Sequence, residues 1–400
     1  MSITFNTSAT ITSDIRDGCV DETNNQALVV VATVTEFRKY DLATGAQNGS
    51  SSTVLASPGA VCLLTTASAF VTSTSSTTAD LVEISSGYVQ NYSGGAVNIA
   101  VLKGQQSAGD TASGIAFSGS NTAGQLVKFT ASTFTLSTTS PVWLNGQKAN
   151  TIIFKGSGNF ICGTNTGNII EFDGSANIVK QYYINNEPNV SLTSSPPGTP
   201  LVTGLSYDNN MLAVSTLQGM LYCFDHSTGE MIYKQKVGSG SNTTTLGPAL
   251  CASASGVTLT GYQLGTGSNN TIMELDFTIN PITVRDFLYS DITTTMIAFG
   301  INSTNNRAFA VQGAATNRKI WFFSVTPRAT TTRAVTVQYP SGTNVKADLI
   351  LYSETNNQVM LDTYMQSPGT YRVPTGHAFK EIVIYGEGAS AVYQINRYNL

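Results

Sequence analysis

The sequence predicts an all-β chain: a seven-bladed β-propeller followed by a small C-terminal β-sandwich. Three observations lead there. A short phrase recurs, an apolar strand ending in an aromatic or aliphatic residue and often followed by Asp: Lys39-Tyr40-Asp41, Val82-Glu83-Ile84, Val127-Lys128-Phe129, Ile170-Glu171-Phe172-Asp173, Tyr222-Cys223-Phe224-Asp225, Met273-Glu274-Leu275-Asp276 and Trp321-Phe322-Phe323-Ser324. With Tyr40, Ile84, Phe129, Phe172, Phe224, Leu275 and Phe323 as markers, the spacings are 44, 45, 43, 52, 51 and 48 residues. A period of that size holding several short strands is the signature of propeller blades, and seven markers predict seven blades. The composition agrees. Charged residues are only 11% of the chain while hydrophobic residues reach 41%. Polarity therefore comes from Ser, Thr, Asn and Gly, which suit turns between strands of β-branched and aromatic residues. Finally, the period stops after Pro327–Arg333, and six further short strands follow.

Two blades read almost completely. One runs Thr151–Lys155, Asn159–Asn165, Asn168–Asp173 and Asn177–Ile184; the next runs Leu201–Ser206, Met211–Ser215, Met220–Asp225 and Met231–Val237. Gly124, Gly167 and Gly219 each stand before the third strand, where a hairpin calls for positive φ. Ala27–Thr35 and Phe37–Leu42 supply strands of the first blade, and Val61–Thr66, Phe70–Thr72 and Asp80–Ile84 belong to the second. Ile115–Phe117, Val257–Tyr262, and Met296–Phe299 with Ala308–Gln312 precede the third, sixth and seventh markers. Ser73–Thr78 and Gly265–Asn270 have the composition of exposed hairpin loops. A propeller must leave no blade edge open. Ile3-Thr4-Phe5 either completes the last blade or forms an arm that docks on a neighbouring subunit. The domain division is thus 1–20 for the arm or ring-closing strand, 21–333 for the propeller and 334–400 for the sandwich. The sandwich strands are expected at Val335–Tyr339, Ala347–Tyr352, Gln358–Thr363, Thr370–Val373, Glu381–Tyr385 and Ala391–Asn396.

Charge and hydropathy exclude several function classes. The net charge of −4, with no stretch of five or more like charges, argues against sequence-specific nucleic-acid binding. The longest apolar run, Ala27 to Val34, is far too short for membrane insertion. The N-terminus lacks the basic and apolar regions of a signal peptide, so synthesis in a cytoplasm without general export is expected. Cys19, Cys62, Cys162, Cys223 and Cys251 form an odd, scattered set that reads as free buried or half-buried thiols.

Catalytic, cofactor-binding and metal-binding residues are all expected to be none. Asp41, Asp173, Asp225 and Asp276 recur at strand-to-turn junctions, where an aspartate caps backbone N–H groups. The two histidines, His226 and His377, fall in turn-like sequences, and neither is expected to pair with a carboxylate for acid–base work. No GxSxG elbow or P-loop is present. Tyr88-Val89-Gln90-Asn91-Tyr92 and Gln181-Tyr182-Tyr183-Ile184-Asn185-Asn186 have the chemistry of a sugar platform, although alternate aromatics packing on a neighbouring blade explain them more simply. Trp143 and Trp321, in apolar surroundings, read as core anchors.

The C-terminal segment carries a resemblance. Tyr371-Arg372-Val373-Pro374-Thr375-Gly376-His377-Ala378-Phe379-Lys380, running into Glu381–Ile384 and Gly386-Glu387-Gly388, resembles the end of certain tailed-bacteriophage virion proteins. It departs from them where an acidic residue and Trp often follow the basic stretch; Lys380-Glu381-Ile382 stand here instead. The resemblance covers about the last 65 residues by motif and the rest by architecture and composition. It implies a virion structural protein of tail or nozzle type, made in the host cytoplasm, whose partners are other virion proteins in a homo-oligomer. The alternative is an adhesin that binds a receptor or host surface glycan through propeller-face loops.

Overall fold

The structure is a computed structural model. It describes residues 2–74, 78–93, 106–184, 201–208, 210–216, 220–236, 250–252, 257–263, 270–276, 283–289, 296–302, 304–312, 318–326, 333–338, 346–353, 359–365, 369–373, 377–385 and 394–398; side chains are described chiefly up to 231 and from 298 to 324.

After β1 (Ser2–Thr10), the first blade is β2 (Ile15–Asp21), β3 (Gln26–Val31), β4 (Glu36–Asp41) and β5 (Ser52–Thr53). The second is β6 (Pro58–Thr65), β7 (Ser68–Ser73), β8 (Thr78–Glu83) and β9 (Val89–Ser93). The third is β10 (Ser107–Asp110), β11 (Ile115–Gly119), β12 (Leu126–Thr130) and β13 (Thr135–Thr139). The fourth is β14 (Ala149–Gly156), β15 (Asn159–Thr164), β16 (Asn168–Asp173) and β17 (Ile178–Tyr183). The fifth is β18 (Val202–Asp208), β19 (Met211–Thr216), β20 (Met220–Asp225) and β21 (Met231–Lys236). A further four-stranded set follows: β22 (Leu250–Ala252), β23 (Val257–Gln263), β24 (Asn270–Asp276) and β25 (Thr283–Tyr289). The closing blade is β26 (Met296–Asn302), β27 (Arg307–Gln312) and β28 (Lys319–Thr326), with β1 as its outer strand.

The expected count of seven blades is corrected to six. One compact unit, Ser2–Met273 with Asp286–Thr326, holds six complete four-stranded blades. The set β22–β25 does not lie wholly within it, although β22 takes a place in the ring of inner strands between β18 and β26. Glu274–Arg285, which ends β24 and begins β25, groups instead with Pro327–Leu400 in the other compact unit. The only described register in this set joins β22 to β23. Marker spacing counts third strands; it carries no information on whether the sheet around a marker packs wholly with its neighbours.

β1 resolves the two readings of the N-terminus. It runs antiparallel to β28 from Ser2 opposite Thr326 to Thr10 opposite Lys319, so the first strand closes the last blade. Pairing the propeller's first and last strands in one sheet removes an open edge, which is where a sheet otherwise recruits another chain.

Within the described residues the strand expectations stand with small shifts; of the expected loops, residues 75–77 and 265–269 lie outside them. The markers Tyr40, Phe129, Phe172, Phe224, Leu275 and Phe323 lie on the third strand of their sheets, and Ile84 directly follows one. Gly124 and Gly167 have φ of 79° and 81°, as the hairpin requires; Gly219 lies outside the described residues. The long first-blade strand ends early, at Val31, because residues 32–35 turn and Thr35 takes φ 51°. Ser73, expected in an exposed loop, is buried and donates its hydroxyl to the Ala56 carbonyl. Inner strands repeat one irregularity: β2, β6, β14, β18 and β26 each carry a register shift at the second residue. Such bulges increase strand twist and bend the inner strand round the channel.

The propeller core lies between blades. One cluster joins Val29 and Tyr40 of the first blade to Phe309 and Phe322 of the closing blade, and another joins Leu126 of the third to Phe160 and Phe172 of the fourth. Phe117 meets Phe160 and Phe172 edge to face, with centroids at 4.9 and 5.1 Å. Each fully buried ring of this kind contributes about 1.5–3 kcal/mol of transfer free energy. The backbones of adjacent inner strands approach so closely that a Cβ at Gly109 would lie 1.8 Å from the Leu63 carbonyl oxygen.

A lysine clasp repeats from blade to blade. Lys39 Nζ donates to the Ile84 carbonyl at 2.5 Å, and Lys128 to that of Gly174 at 2.6 Å. Lys180 donates to the His226 carbonyl. In each case a cation of one blade holds the end of the third strand, or the turn after it, in the next.

The second unit contains β29 (Arg333–Gln338), β30 (Lys346–Ser353), β31 (Val359–Met365), β32 (Gly369–Val373), β33 (His377–Tyr385) and β34 (Gln394–Tyr398). These form two three-stranded sheets, in the orders β32-β29-β34 and β31-β30-β33, a small sandwich-like module. His377, expected in a loop, is instead the first residue of β33, opposite Ser353.

Candidate functional site

The recurrent aspartates cap turns. Asp41 Oδ1 accepts the N–H groups of Ala43 and Thr44 and the Thr44 hydroxyl. Asp173 accepts from the backbones of Ser175 and Asn177, and Asp225 from the backbone and hydroxyl of Ser227 and from Thr228. The Ser227 bonds hold the Asp225 carboxyl below the usual aspartate range. The side chain of Asp276 lies outside the described residues.

His226 is not the exposed turn residue expected. It is only 8% exposed and lies in a polar cluster between the fourth and fifth blades. At the centre is Glu171, 1% exposed, within the all-buried stretch Ile169–Phe172 of β16. Its Oε1 accepts from Lys155 Nζ at 2.6 Å and Asn159 Nδ2 at 2.8 Å, and its Oε2 lies 3.0 Å from His226 Nε2. The Tyr182 hydroxyl meets His226 Nδ1. The Tyr207 ring stands edge-on to the imidazole at 5.1 Å and lies under Lys155 Nζ at 5.4 Å.

The partners assign the tautomer. Neutral His226 donates from Nε2 to Glu171 and accepts the Tyr182 hydroxyl proton at Nδ1, satisfying both nitrogens. Burial, helped by Lys155 and Lys180, pushes the imidazole below its usual value, outweighing the opposite pull of Glu171. Burial, reinforced by Glu171, raises the Tyr182 phenol. A histidine–carboxylate pair therefore exists, contrary to expectation, but every polar atom described at its centre is spent on another. The sequence held one signal for it. A glutamate between Ile170 and Phe172, in a strand buried on both faces, needs a cationic partner.

The remaining candidates disperse. Tyr182 is buried, as the simpler reading of its segment expected, while the side chains of Tyr183, Asn185 and Asn186 lie outside the described residues. Asn91 is bound to Asp80, whereas Tyr88 is 65% exposed and Phe134 stacks parallel on Tyr92. Trp143 donates to the Ala176 carbonyl and packs on Phe172, and Trp321 is buried. Cys19, Cys62, Cys162 and Cys223 are free. Burial raises the Cys62 thiol to about 12, and the other three also lie above the usual range. Cys251 lies outside the described side chains. Among the described residues no three His, Cys, Asp or Glu side chains converge as metal ligands, and no helix is long and apolar enough to cross a membrane.

Among the described residues, two surfaces are suited to meeting another molecule. The first is the channel, a cavity of about 530 Å³ walled by β2, β6, β10, β14, β18 and β26. The second is an arc on one propeller face. Tyr88, Phe134, Ile178 and Met231 are exposed apolar residues standing at or just before the fourth strand of the second to fifth blades.

No family model matches the sequence, and no curated protein matches it. A solved structure described as "Crystal Structure of Mitotic Checkpoint Complex" contains a chain similar in fold, with a TM-score of 0.61 and 11% identity, covering 81% of this chain and 92% of that one. At that identity the likeness is one of fold. The class defined is an all-β propeller protein with a small C-terminal β-sheet module.

Proposed function

We propose that this chain is a non-enzymatic structural protein of a bacteriophage virion, a tail or nozzle component that assembles as a homo-oligomer with other virion proteins. It is made in the host cytoplasm and takes its place in the particle. The observation that carries this reading is the apolar arc. Tyr88, Phe134, Ile178 and Met231 recur at one structural position in four successive blades, and residues left exposed in that pattern suit a docking face better than a core. The resemblance of the C-terminal segment to phage tail modules supports the virion setting. On this reading the buried Glu171–His226 pair is a structural joint between the fourth and fifth blades. Antibody labelling of purified source particles in the electron microscope tests the reading. Label along the tail axis is expected, and no label on any particle overturns it. A second reading, a glycan-binding adhesin, draws on exposed Tyr88 and the Tyr92–Phe134 stack as an aromatic platform. It calls for label at fibre tips or over the shell, and for saturable binding of host envelope polysaccharide.

A further inference from the structure

We propose that the mouth of the propeller channel binds a small amphiphilic organic cation, a primary ammonium with an apolar body. This inference stands apart from the virion reading, since it concerns the channel and not the outer arc.

The charge of the wall is one-sided. Asp17 and Glu22 line the cavity, and among the described residues no Lys, Arg or His does. Asp17 already accepts the Val61 N–H at 3.1 Å. Glu22 differs: its carboxylate has no hydrogen bond or ion pair to any described residue. Neighbouring acids are used, Asp21 by Asn24 and Asp110 by Ala112 and Ser113. Desolvation at the mouth accordingly raises the Glu22 carboxyl, with nothing opposing it. A cation brought beside it regains what the carboxylate has lost, whereas an anion is repelled.

The rest of the wall selects the kind of cation. A divalent metal ion needs several convergent ligands, and no such group occurs among the described residues. An ammonium needs less: one carboxylate, hydroxyl acceptors and an aromatic face. Thr23, Thr66 and Thr111, exposed at the turns that follow three successive inner strands, supply hydroxyls. Half-buried Phe154 supplies an aromatic ring at the wall, the Tyr207 ring being already taken by the ammonium of Lys155 at 5.4 Å. The charge of Lys155 is matched by Glu171 at 2.6 Å and does not cancel the field of Glu22. The wall also carries half-buried apolar side chains, Val20, Leu63, Ile153 and Phe154. That combination fits an apolar body bearing a polar head, in a volume of the size small-molecule sites have.

Three probes of one length separate charge from shape: hexylammonium, 1-hexanol and hexanoate, titrated against the full chain by calorimetry and ligand-observed NMR. Hexylammonium is expected to bind saturably, at least about tenfold more tightly than hexanol, with hexanoate not binding, as a charge-assisted hydrogen bond requires. Glu22→Gln is nearly isosteric at an exposed site, so the melting temperature should be kept while hexylammonium affinity falls about tenfold. Nα-acetyl-lysine amide and glucosamine then distinguish a peptide side chain from an amino sugar as the source of the ammonium. Equal binding of hexanol and hexylammonium overturns the proposal. So does unchanged affinity in Glu22→Gln, or no saturable binding of any ammonium probe.

Discussion

Replacing Glu171 by Gln tests whether the fourth and fifth blades are held by a buried charge. The carboxylate receives Lys155 and Asn159 on one oxygen, at 2.6 and 2.8 Å, and faces His226 on the other at 3.0 Å. Glutamine keeps the shape but offers one acceptor, and its amide turns a donor toward either the ammonium or the imidazole N–H. Breaking a buried ion pair costs about 3–5 kcal/mol when the remaining charge stays buried. The Lys155 side chain is 19% exposed and regains some water, so a loss of about 2–3 kcal/mol is expected. Urea unfolding followed by tryptophan fluorescence measures it, because Trp143 packs on Phe172 and Trp321 lies in the closing blade of the same unit. Lys155→Met and the double variant complete a cycle, with an expected coupling of about 1–3 kcal/mol between contacting partners. A loss below about 0.5 kcal/mol, the range of ordinary surface changes, would refute the reasoning.

Four other outcomes follow from the same geometry. His226 is held below its ordinary 6.5, so the unfolded chain binds the proton more readily. Propeller stability should therefore be full above that value and fall as pH drops from it toward the depressed folded value, and His226→Gln should flatten the dependence in pH-resolved urea titrations. Lys128→Met removes the clasp on the Gly174 carbonyl and should cost about 1 kcal/mol by thermal unfolding, the net worth of a typical intramolecular hydrogen bond; no change would mean the clasp is satisfied by water. Deleting Ser2–Thr10 exposes β28 along its length and should yield dimers or aggregates by light scattering, reversed by the added peptide; a monomer of unchanged melting temperature contradicts ring closure through β1. Phe134 takes φ 50° with its ring 58% exposed, so Phe134→Gly should stabilise by about 0.5–1 kcal/mol on thermal unfolding, and destabilisation would show that the Tyr92 stack outweighs the backbone strain.

The sequence by itself determined what is local and periodic. Third strands are marked because each must place a large apolar residue between blades, and a repeat of that demand is visible as spacing. The turns after them are marked by Asp, because a short carboxylate is what caps the free N–H groups there. The propeller, the module after it and the free state of the four described cysteines were all legible on those grounds. Tertiary structure decided what depends on which blade faces which. Glu171 and His226 are 55 residues apart in a chain whose repeat is shorter than that, and only blade packing brings them to 3.0 Å. The turn-like composition around His226 was read as exposure, yet a turn that faces the next blade is as buried as a strand. The six complete blades, and the separate grouping of Glu274–Arg285, belong to the same category. So does the choice of β1 as the ring-closing strand, since alternation in Ile3-Thr4-Phe5 promises a strand without naming its partner. Local sequence fixes which backbone shape is cheapest at each position, while partnership between distant strands is set by shape and charge that no single segment contains.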